Sequence, residues 1–244
     1  MNKDQKYNAL VAEAQTDPNI IGLILVGGRG KGQATEYSDY DVEIIAIDAE
    51  AATKKYKQYE EKDVIDTISP MTIETFRSHA EWGGEYAWDR YAYAHNKAVI
   101  DKNSTIQKII DEKGVIPPGQ EAKVVEDAIG GYMNAMYRTL KNFRDKNIFA
   151  HRLDAAESIP WLLTAIFGVE NRIRPYNKFL QWELEKYPIA AFPFSAADFF
   201  TKIELIISTG DITTQKEVFK KCIQFFRDKG FTKTIDSWEG YRFE

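Results

Sequence analysis

Two short apolar runs, separated by a polar segment rich in glycine, constrain the fold of this chain more than any other feature. The first run covers residues 20–26, and the second follows Asp41 and ends at residue 47. Runs this short and this apolar are typical of buried strands rather than of amphipathic helices. We therefore expect strands over residues 20–26 and 40–47 in a small sheet, with a glycine turn after the first strand.

Two carboxylates mark the start of the second strand. Asp39 and Asp41 stand at positions i and i+2, which point to the same face of a strand. Like charges this close are costly unless solvent or a cation lies between them. Carboxylate oxygens are the ligands that hard divalent cations prefer. The pattern predicts a metal site at the edge of the sheet, beside the glycine turn.

The composition excludes several classes of protein. At 244 residues, 44% apolar and 28% charged, the chain suits a soluble globular protein with one large domain or two small ones. A net charge of −5 disfavours a nucleic-acid partner, and no apolar run reaches membrane-spanning length. The single cysteine, Cys222, excludes a disulfide framework and a cysteine-based zinc site. The first residues do not resemble a signal peptide, so we expect a cytoplasmic protein.

The first half of the chain mixes helix and strand patterns. Besides the two strands, the expected elements are a helix around Leu10, a helix over residues 50–62, a strand over 63–69 stopped by Pro70, a helix capped by Thr72, an aromatic helical segment over 82–93, a strand over 97–101 and a helix with a capping box of Ser104 and Gln107.

The second half has only helical patterns. Residues 114–119, which contain Pro117 and Pro118, are the clearest boundary in the sequence. Beyond them apolar residues recur at helical spacing, including helices over 177–186 and 195–208 and a last helix capped by Thr214 and Glu217. We expect an α+β fold with a small mixed sheet and flanking helices in residues 1–115, followed by an all-helical domain in residues 119–244.

Two common phosphate-binding loops do not fit the glycine-rich segment. A Walker loop requires Ser or Thr after Gly-Lys and a glycine five residues before that pair, but Gly32 and Leu25 occupy these positions. A dinucleotide-binding fingerprint requires G-x-G-x-x-G, and Gly28, Gly30 and Gly32 have the wrong third spacing.

A third pattern fits at every position. Val26-Gly27-Gly28, ten residues and Asp39-Tyr40-Asp41-Val42 resemble the signature of the nucleotidyltransferase superfamily that includes DNA polymerase beta. Ser38 fits the Ser-Asp-x-Asp form found in that superfamily. The helical second half is similar in length and architecture to the acceptor-binding domain of small bacterial nucleotidyltransferases that act on aminoglycosides and lincosamides.

The resemblance implies a particular chemistry. A nucleoside monophosphate would pass from a nucleoside triphosphate, expected to be ATP, to a hydroxyl of a small molecule. An antibiotic-like compound is one candidate for that acceptor. Two Mg²⁺ ions would neutralise the charge of the phosphates. Asp39, Asp41 and a third carboxylate from the next strand would hold the metals or accept the proton. Asp63 and Asp66 are both candidates, and strand alternation favours Asp63. Glu43, in phase with the two aspartates, is either a further candidate or an exposed strand position.

The same resemblance, with local charge density, suggests the residues that would bind the nucleotide. They are Gly27, Gly28, Arg29, Lys31 and Ser38 in the loop, and Arg174, Tyr176 and Lys178 in the helical half. Several superfamily members carry Ser at the position of Gly28, so one side-chain contact to the triphosphate would be missing here. The aromatic segment 82–93 is either core or a stacking wall for a base or sugar.

Two alternatives remain open at the level of sequence. One is a nucleotidyltransferase that modifies a protein, as in relatives of the toxin–antitoxin type. The other is a regulatory protein that binds a nucleotide without turnover. The third carboxylate distinguishes an enzyme from a protein that only binds the nucleotide, because turnover requires it.

Overall fold

A computed structural model describes residues 2–238 and 241 and has an α+β fold, with a mixed four-stranded sheet and a helical C-terminal region. The chain divides into two compact units between Pro117 and Pro118, inside the proline-containing segment 114–119. Among the described residues, no helix combines the length and the apolar character needed to cross a membrane.

The first unit contains all of the described strands. Its elements are α1 (Lys3–Thr16), β1 (Ile20–Leu25), the single turn α2 (Gly27–Gly30), β2 (Asp41–Ala46), α3 (Ala49–Tyr56), β3 (Thr67–Met71), α4 (Ile73–Ser78), β4 (Ala98–Asp101) and α5 (Ile106–Lys113), with 3-10 turns at Lys57–Tyr59 and Ala87–Ala92.

The sheet is mixed and is covered on both faces. Its order is β3-β2-β1-β4, in which β1 is antiparallel to β2 and β4, and β2 is parallel to β3. One face packs Leu23, Val42 and Ile44 against buried residues of α1 and α3. The other packs Ile24 and Ile45 against α4, α5 and Tyr93. Burial on both faces explains why these two runs are almost continuously apolar.

The third strand differs from the prediction. It begins at Thr67 rather than at residue 63, and it includes Pro70 instead of stopping before it. β3 lies at the edge of the sheet, where a residue without an N–H donor is tolerated. Residues 62–64 form a turn closed by a bridge between Glu61 and Ile65, and Asp63 has a φ of +62° in this turn. The strand alternation that favoured Asp63 therefore does not apply to it.

The predicted capping box of Ser104 and Gln107 is also wrong. Asp101, the last residue of β4, accepts hydrogen bonds from the backbone N–H groups of Thr105 (3.1 Å) and Gln107 (2.9 Å) and so caps α5. Thr72 does cap α4, by accepting a hydrogen bond from the Thr75 N–H at 3.2 Å. The aromatic segment 82–93 is less regular than predicted, because only its 3-10 turn is helical.

The second unit is helical throughout its described residues. Its helices are α6 (Glu121–Arg144), α7 (Ile148–Gly168), α8 (Leu180–Lys186), α9 (Ala196–Thr209), α10 (Ile212–Asp228) and α11 (Thr232–Asp236), with a 3-10 turn at Asn177–Phe179. Cys222 lies in its apolar core. Asp211, rather than Thr214, caps α10 by accepting a hydrogen bond from the Thr214 N–H at 2.7 Å.

Asp17 fixes the entry into β1, and its removal should destabilise the first unit. Its side chain is 8% exposed and accepts hydrogen bonds from Lys55 Nζ (2.8 Å), the Tyr56 hydroxyl (3.0 Å) and the Asn19 N–H (2.9 Å). Asp17→Asn should lower the free energy of unfolding at pH 7 by about 1–3 kcal/mol in urea titrations.

The effect should depend on pH in a defined direction. The hydrogen bond from Lys55 lowers the pKa of Asp17, with help from the Asn19 N–H and the Tyr56 hydroxyl. A carboxylate with a depressed pKa stabilises the fold above its unfolded pKa, near 4, and loses this contribution as the pH falls. The difference between Asp17→Asn and wild type should therefore shrink below about pH 4. The exposed pair of Glu50 and Lys54 provides the control, since Glu50→Gln should cost about 0.5 kcal/mol or less. If Asp17→Asn and Glu50→Gln lowered the free energy of unfolding equally, the stabilising role of Asp17 would be contradicted.

Candidate functional site

The glycine turn lies directly beside the start of β2. The antiparallel register pairs Leu25 with Val42, and the Val26 N–H donates to the Asp41 carbonyl at 3.0 Å. The chain then turns through α2, where the Gly30 N–H bonds back to the Val26 carbonyl at 3.1 Å. Strand pairing therefore places the turn against the backbone of Asp41.

Two of the glycines are required by their surroundings. Gly27 has a φ of +65°, and a Cβ at this position would lie 2.2 Å from Oδ2 of Asp41. A Cβ on Gly30 would lie 2.1 Å from the Leu25 carbonyl oxygen. Both positions allow close approaches that any other residue would prevent. Gly28 differs, because a Cβ there would make only ordinary contacts with the Gln33 carbonyl (3.4 Å) and Ser38 Oγ (3.6 Å).

Asp39 and Asp41 are both partly exposed, and Asp41 is the first residue of β2. The structure does not, however, bring a third carboxylate to them. Within residues 2–238 and 241, the only group of three or more potential metal ligands whose ligand atoms all lie within 4.8 Å of one another is Glu43, His79 and Asp89. The predicted trio of Asp39, Asp41 and Asp63 is not assembled.

Asp66 lies beside the start of β2, at the beginning of the neighbouring strand. β3 runs parallel to β2, and its first residue, Thr67, pairs with Asp41. Asp66 directly precedes Thr67 and is exposed. Asp63 lies in the preceding turn, where its N–H donates to Oδ1 of Asp66 at 3.4 Å.

Arg29 and Ser38 stabilise the loop between β1 and β2. Nε and Nη2 of Arg29 donate to the Ser38 carbonyl at 3.3 and 3.1 Å, and its guanidinium lies 4.0 Å from the centre of the Tyr40 ring. Ser38 Oγ accepts a hydrogen bond from the Thr35 N–H at 2.9 Å. Both side chains therefore stabilise the conformation of the loop between β1 and β2.

Lys31 has a structural environment that does not match the predicted contact with phosphate. It is 7% exposed, and its ammonium group donates to the carbonyls of Tyr91 (2.9 Å), Ala92 (3.2 Å) and Ala94. Its charge is therefore used inside the first unit, to satisfy carbonyls at the end of the 3-10 turn.

Sequence reasoning missed the neighbourhood of Glu43. This residue is buried rather than exposed, and the Tyr93 hydroxyl donates to both of its carboxyl oxygens at 3.0 and 3.1 Å. Burial raises the pKa of Glu43 to about 7, although the hydrogen bond from Tyr93 opposes the shift. His79 and Asp89, which share a hydrogen bond of 2.9 Å, complete the cluster. Only the phase of Glu43 with Asp41 signalled it in the sequence.

The remaining predicted residues lie in the second unit. Arg174 and Lys178 line a cavity of about 680 Å³, whose other walls include Ile159, Leu163 and Ile203. Nη2 of Arg174 donates to Asn177 at 2.9 Å, and burial lowers the pKa of the arginine. Tyr176 precedes the 3-10 turn and is partly buried.

Comparisons with known proteins add little to this geometry. No protein-family model matches the chain. No curated protein matches it either. Among solved structures, it is similar to a nucleotidyltransferase-like protein from Exiguobacterium sibiricum 255-15, with 11% identity, a TM-score of 0.46 and coverage of 98% of this chain and 80% of that one.

A matched pair of glycine substitutions tests the contact between Gly27 and Asp41. Gly27 and Gly32 have nearly the same φ, +65° and +67°, but a Cβ on Gly32 would meet nothing within 4 Å. Gly32→Ala should therefore cost only the strain of the left-handed conformation, about 1 kcal/mol. Gly27→Ala should cost at least about 1 kcal/mol more, because it must also displace the Asp41 carboxylate. Urea unfolding measures both, and equal costs would mean that the contact is not tight.

Proposed function

We propose that this chain is a magnesium-dependent nucleotidyltransferase that moves a nucleoside monophosphate, AMP in the first instance, from a triphosphate to a hydroxyl of a small molecule. The observation that carries the proposal is the contact between the glycine turn and the Asp41 carboxylate. It places a backbone that other groups can approach closely beside the Asp41 carboxylate, and Asp39 lies two residues before Asp41 in the sequence. A triphosphate bound together with a divalent cation requires this combination of groups.

The donor atoms present fit magnesium. Asp39 and Asp41 offer carboxylate oxygens, the preferred ligands of Mg²⁺, and both side chains are partly exposed, so that an ion can reach them. When bound, magnesium supplies positive charge for the triphosphate and for the pyrophosphate that leaves. The chain's own residues would position the donor. Gly27 and Gly28 would let the phosphates approach the backbone, and Ser38 would offer a hydroxyl on the same side of the turn.

Asp66 is our proposed third carboxylate, in preference to Asp63. It directly precedes the residue of β3 that pairs with Asp41, and its side chain is exposed. A side chain there would need to rotate towards Asp39 and Asp41 when metal and nucleotide bind. Its role would be to complete the metal site or to accept the proton of the acceptor hydroxyl.

One observation favours the alternative of nucleotide binding without turnover. In the described part of the chain, no third carboxylate joins Asp39 and Asp41 within 4.8 Å. If Asp66 does not move in, the site would hold a nucleotide and a metal but would lack a group to complete the reaction. The two functions differ in whether pyrophosphate is released.

A pyrophosphate-release screen tests turnover directly. The four nucleoside triphosphates with Mg²⁺ are assayed against a panel of hydroxylated small molecules, with wild type beside Asp39→Asn and Asp41→Asn. Wild type should release pyrophosphate with at least one combination of triphosphate and acceptor. The rate should fall roughly 1000-fold or more in each variant, because each substitution removes a metal ligand. Release that survives both substitutions would rule out the metal role of these aspartates. If wild type releases pyrophosphate with no combination of triphosphate and acceptor but binds a nucleotide in the presence of Mg²⁺, the result would support the regulatory alternative.

The two candidates for the third carboxylate form a matched pair. Asp66→Asn should lower kcat roughly 100-fold or more and leave folding intact, because Asp66 is exposed. Asp63→Asn should have little effect, since asparagine tolerates the positive φ at this position. The opposite order of effects in the same assay would assign the role to Asp63.

Gly28→Ser tests the position at which superfamily members carry serine. The observed space admits a Cβ without close contact, so the variant should fold with a free energy of unfolding within about 1 kcal/mol of wild type. Its hydroxyl should add a donor to the triphosphate and lower the KM for the nucleotide several-fold. A higher KM, with folding unchanged, would mean that the phosphates do not bind at Gly28.

A further inference from the structure

A second group of potential metal ligands includes Glu43, which lies on the same face of β2 as Asp41 and two residues further along the strand. It consists of Glu43 on β2, His79 at the end of α4 and Asp89 in the 3-10 turn Ala87–Ala92. One ligand atom from each lies within 4.8 Å of the other two. Three separate elements therefore converge on this point.

The charge of the buried carboxylate is not balanced by a bonded cation from the described residues. Glu43 is 7% exposed, and its hydrogen-bond partner among them is the neutral hydroxyl of Tyr93. The buried ammonium group of Lys113 instead donates to the carbonyls of Arg77 and His79. A buried carboxylate in this situation is costly unless a proton or a cation joins it, and the two neighbouring ligand groups favour a cation.

We infer that Glu43, His79 and Asp89 bind one divalent transition-metal ion, Zn²⁺ in the first instance, at a site separate from the Mg²⁺ site of Asp39 and Asp41. An imidazole with two carboxylates is a ligand set that suits zinc, whereas magnesium prefers oxygen ligands alone. The inference does not depend on the proposed nucleotidyl transfer, because a chain without turnover would bind zinc here equally well.

Two of the three ligands already lie at a separation that suits a bound ion. His79 Nε2 and Asp89 Oδ2 are 2.9 Å apart, close to the separation of about 3.3 Å that two ligands have in a tetrahedral site with bonds near 2.0 Å. Tyr93 orients the Glu43 carboxylate by contacting both oxygens, each of which keeps a lone pair for a metal. Hydrogen bonds of this kind commonly fix ligands around bound metals. Three protein ligands would leave one coordination position for water or a bound molecule.

Zinc titration of the metal-free full-length chain tests the inference, in an excess of Mg²⁺ that occupies the oxygen-only site. The binding is measured by calorimetry and by long-range ¹H–¹⁵N spectra of the imidazoles, which are simple because the chain has three histidines. We expect one Zn²⁺ per chain and a shift of the Nε2 signal of His79. The melting temperature should also rise, because the ion would tie three elements together.

Three variants distinguish zinc binding at this cluster from zinc binding elsewhere on the chain. His79→Gln should abolish the binding, and Asp89→Asn should weaken it at least tenfold. Asp39→Asn should leave it unchanged, since Asp39 belongs to the other site. Folding of each variant is checked by circular dichroism. The shift of the His79 signal in wild type reports zinc binding at this cluster without any substitution. Absence of zinc binding, a shift confined to His95 or His151, or unchanged affinity in His79→Gln would each overturn the inference.

Discussion

The antiparallel pairing of β1 with β2 is the interaction on which the candidate site depends. It puts Leu25 opposite Val42 and places the glycine turn against Asp41. The alternation of apolar residues on β2 fixes this register, because Val42 and Ile44 belong to one apolar cluster and Ile45 to the other. A slip by one residue would exchange the two faces and direct Asp41 and Glu43 into the face packed against α1 and α3. The packing that stabilises the sheet thus also selects the face on which the carboxylates lie.

Buried cations support the irregular part of the first unit. Lys31 donates to carbonyls of Tyr91, Ala92 and Ala94, and Arg90 donates to the Ala80 (3.2 Å), Glu112 (2.8 Å) and Val115 (3.0 Å) carbonyls. Lys113 does the same for Arg77 and His79. The segment between α4 and β4 has little regular structure of its own, so that its carbonyls need partners from side chains. These cations hold His79, Asp89 and Tyr93 in place around Glu43.

The sequence allowed the α+β class and the positions of β1, β2 and β4 to be predicted, because continuous apolar runs and glycine turns are local signals. It failed where a distant residue decides the structure. Pro70 is accepted in β3 because that strand lies at the edge, and Asp101 replaces the expected Ser104 cap because the end of β4 meets the start of α5. Edge position and side-chain reach are tertiary properties with no local pattern.

The same distinction applies to the site. The proximity of Gly27 and Asp41 follows from a hairpin-like pairing of neighbouring strands and could be anticipated from their spacing. The cluster of Glu43, His79 and Asp89 joins residues separated by up to 46 positions (89 − 43), with no spacing that is typical of a metal motif. Lys31 is predicted to contact phosphate because its charge is visible in the sequence, whereas its burial is not.

Nucleotide binding as a function of magnesium tests the central claim most directly, because it needs no knowledge of the acceptor. Calorimetric titration with an ATP analogue that has a non-cleavable α,β bridge measures the affinity with and without Mg²⁺. We predict binding that depends on Mg²⁺ and is lost when Asp39 and Asp41 are both changed to Asn. Equal affinity without magnesium, or in the double variant, would contradict the proposed metal site.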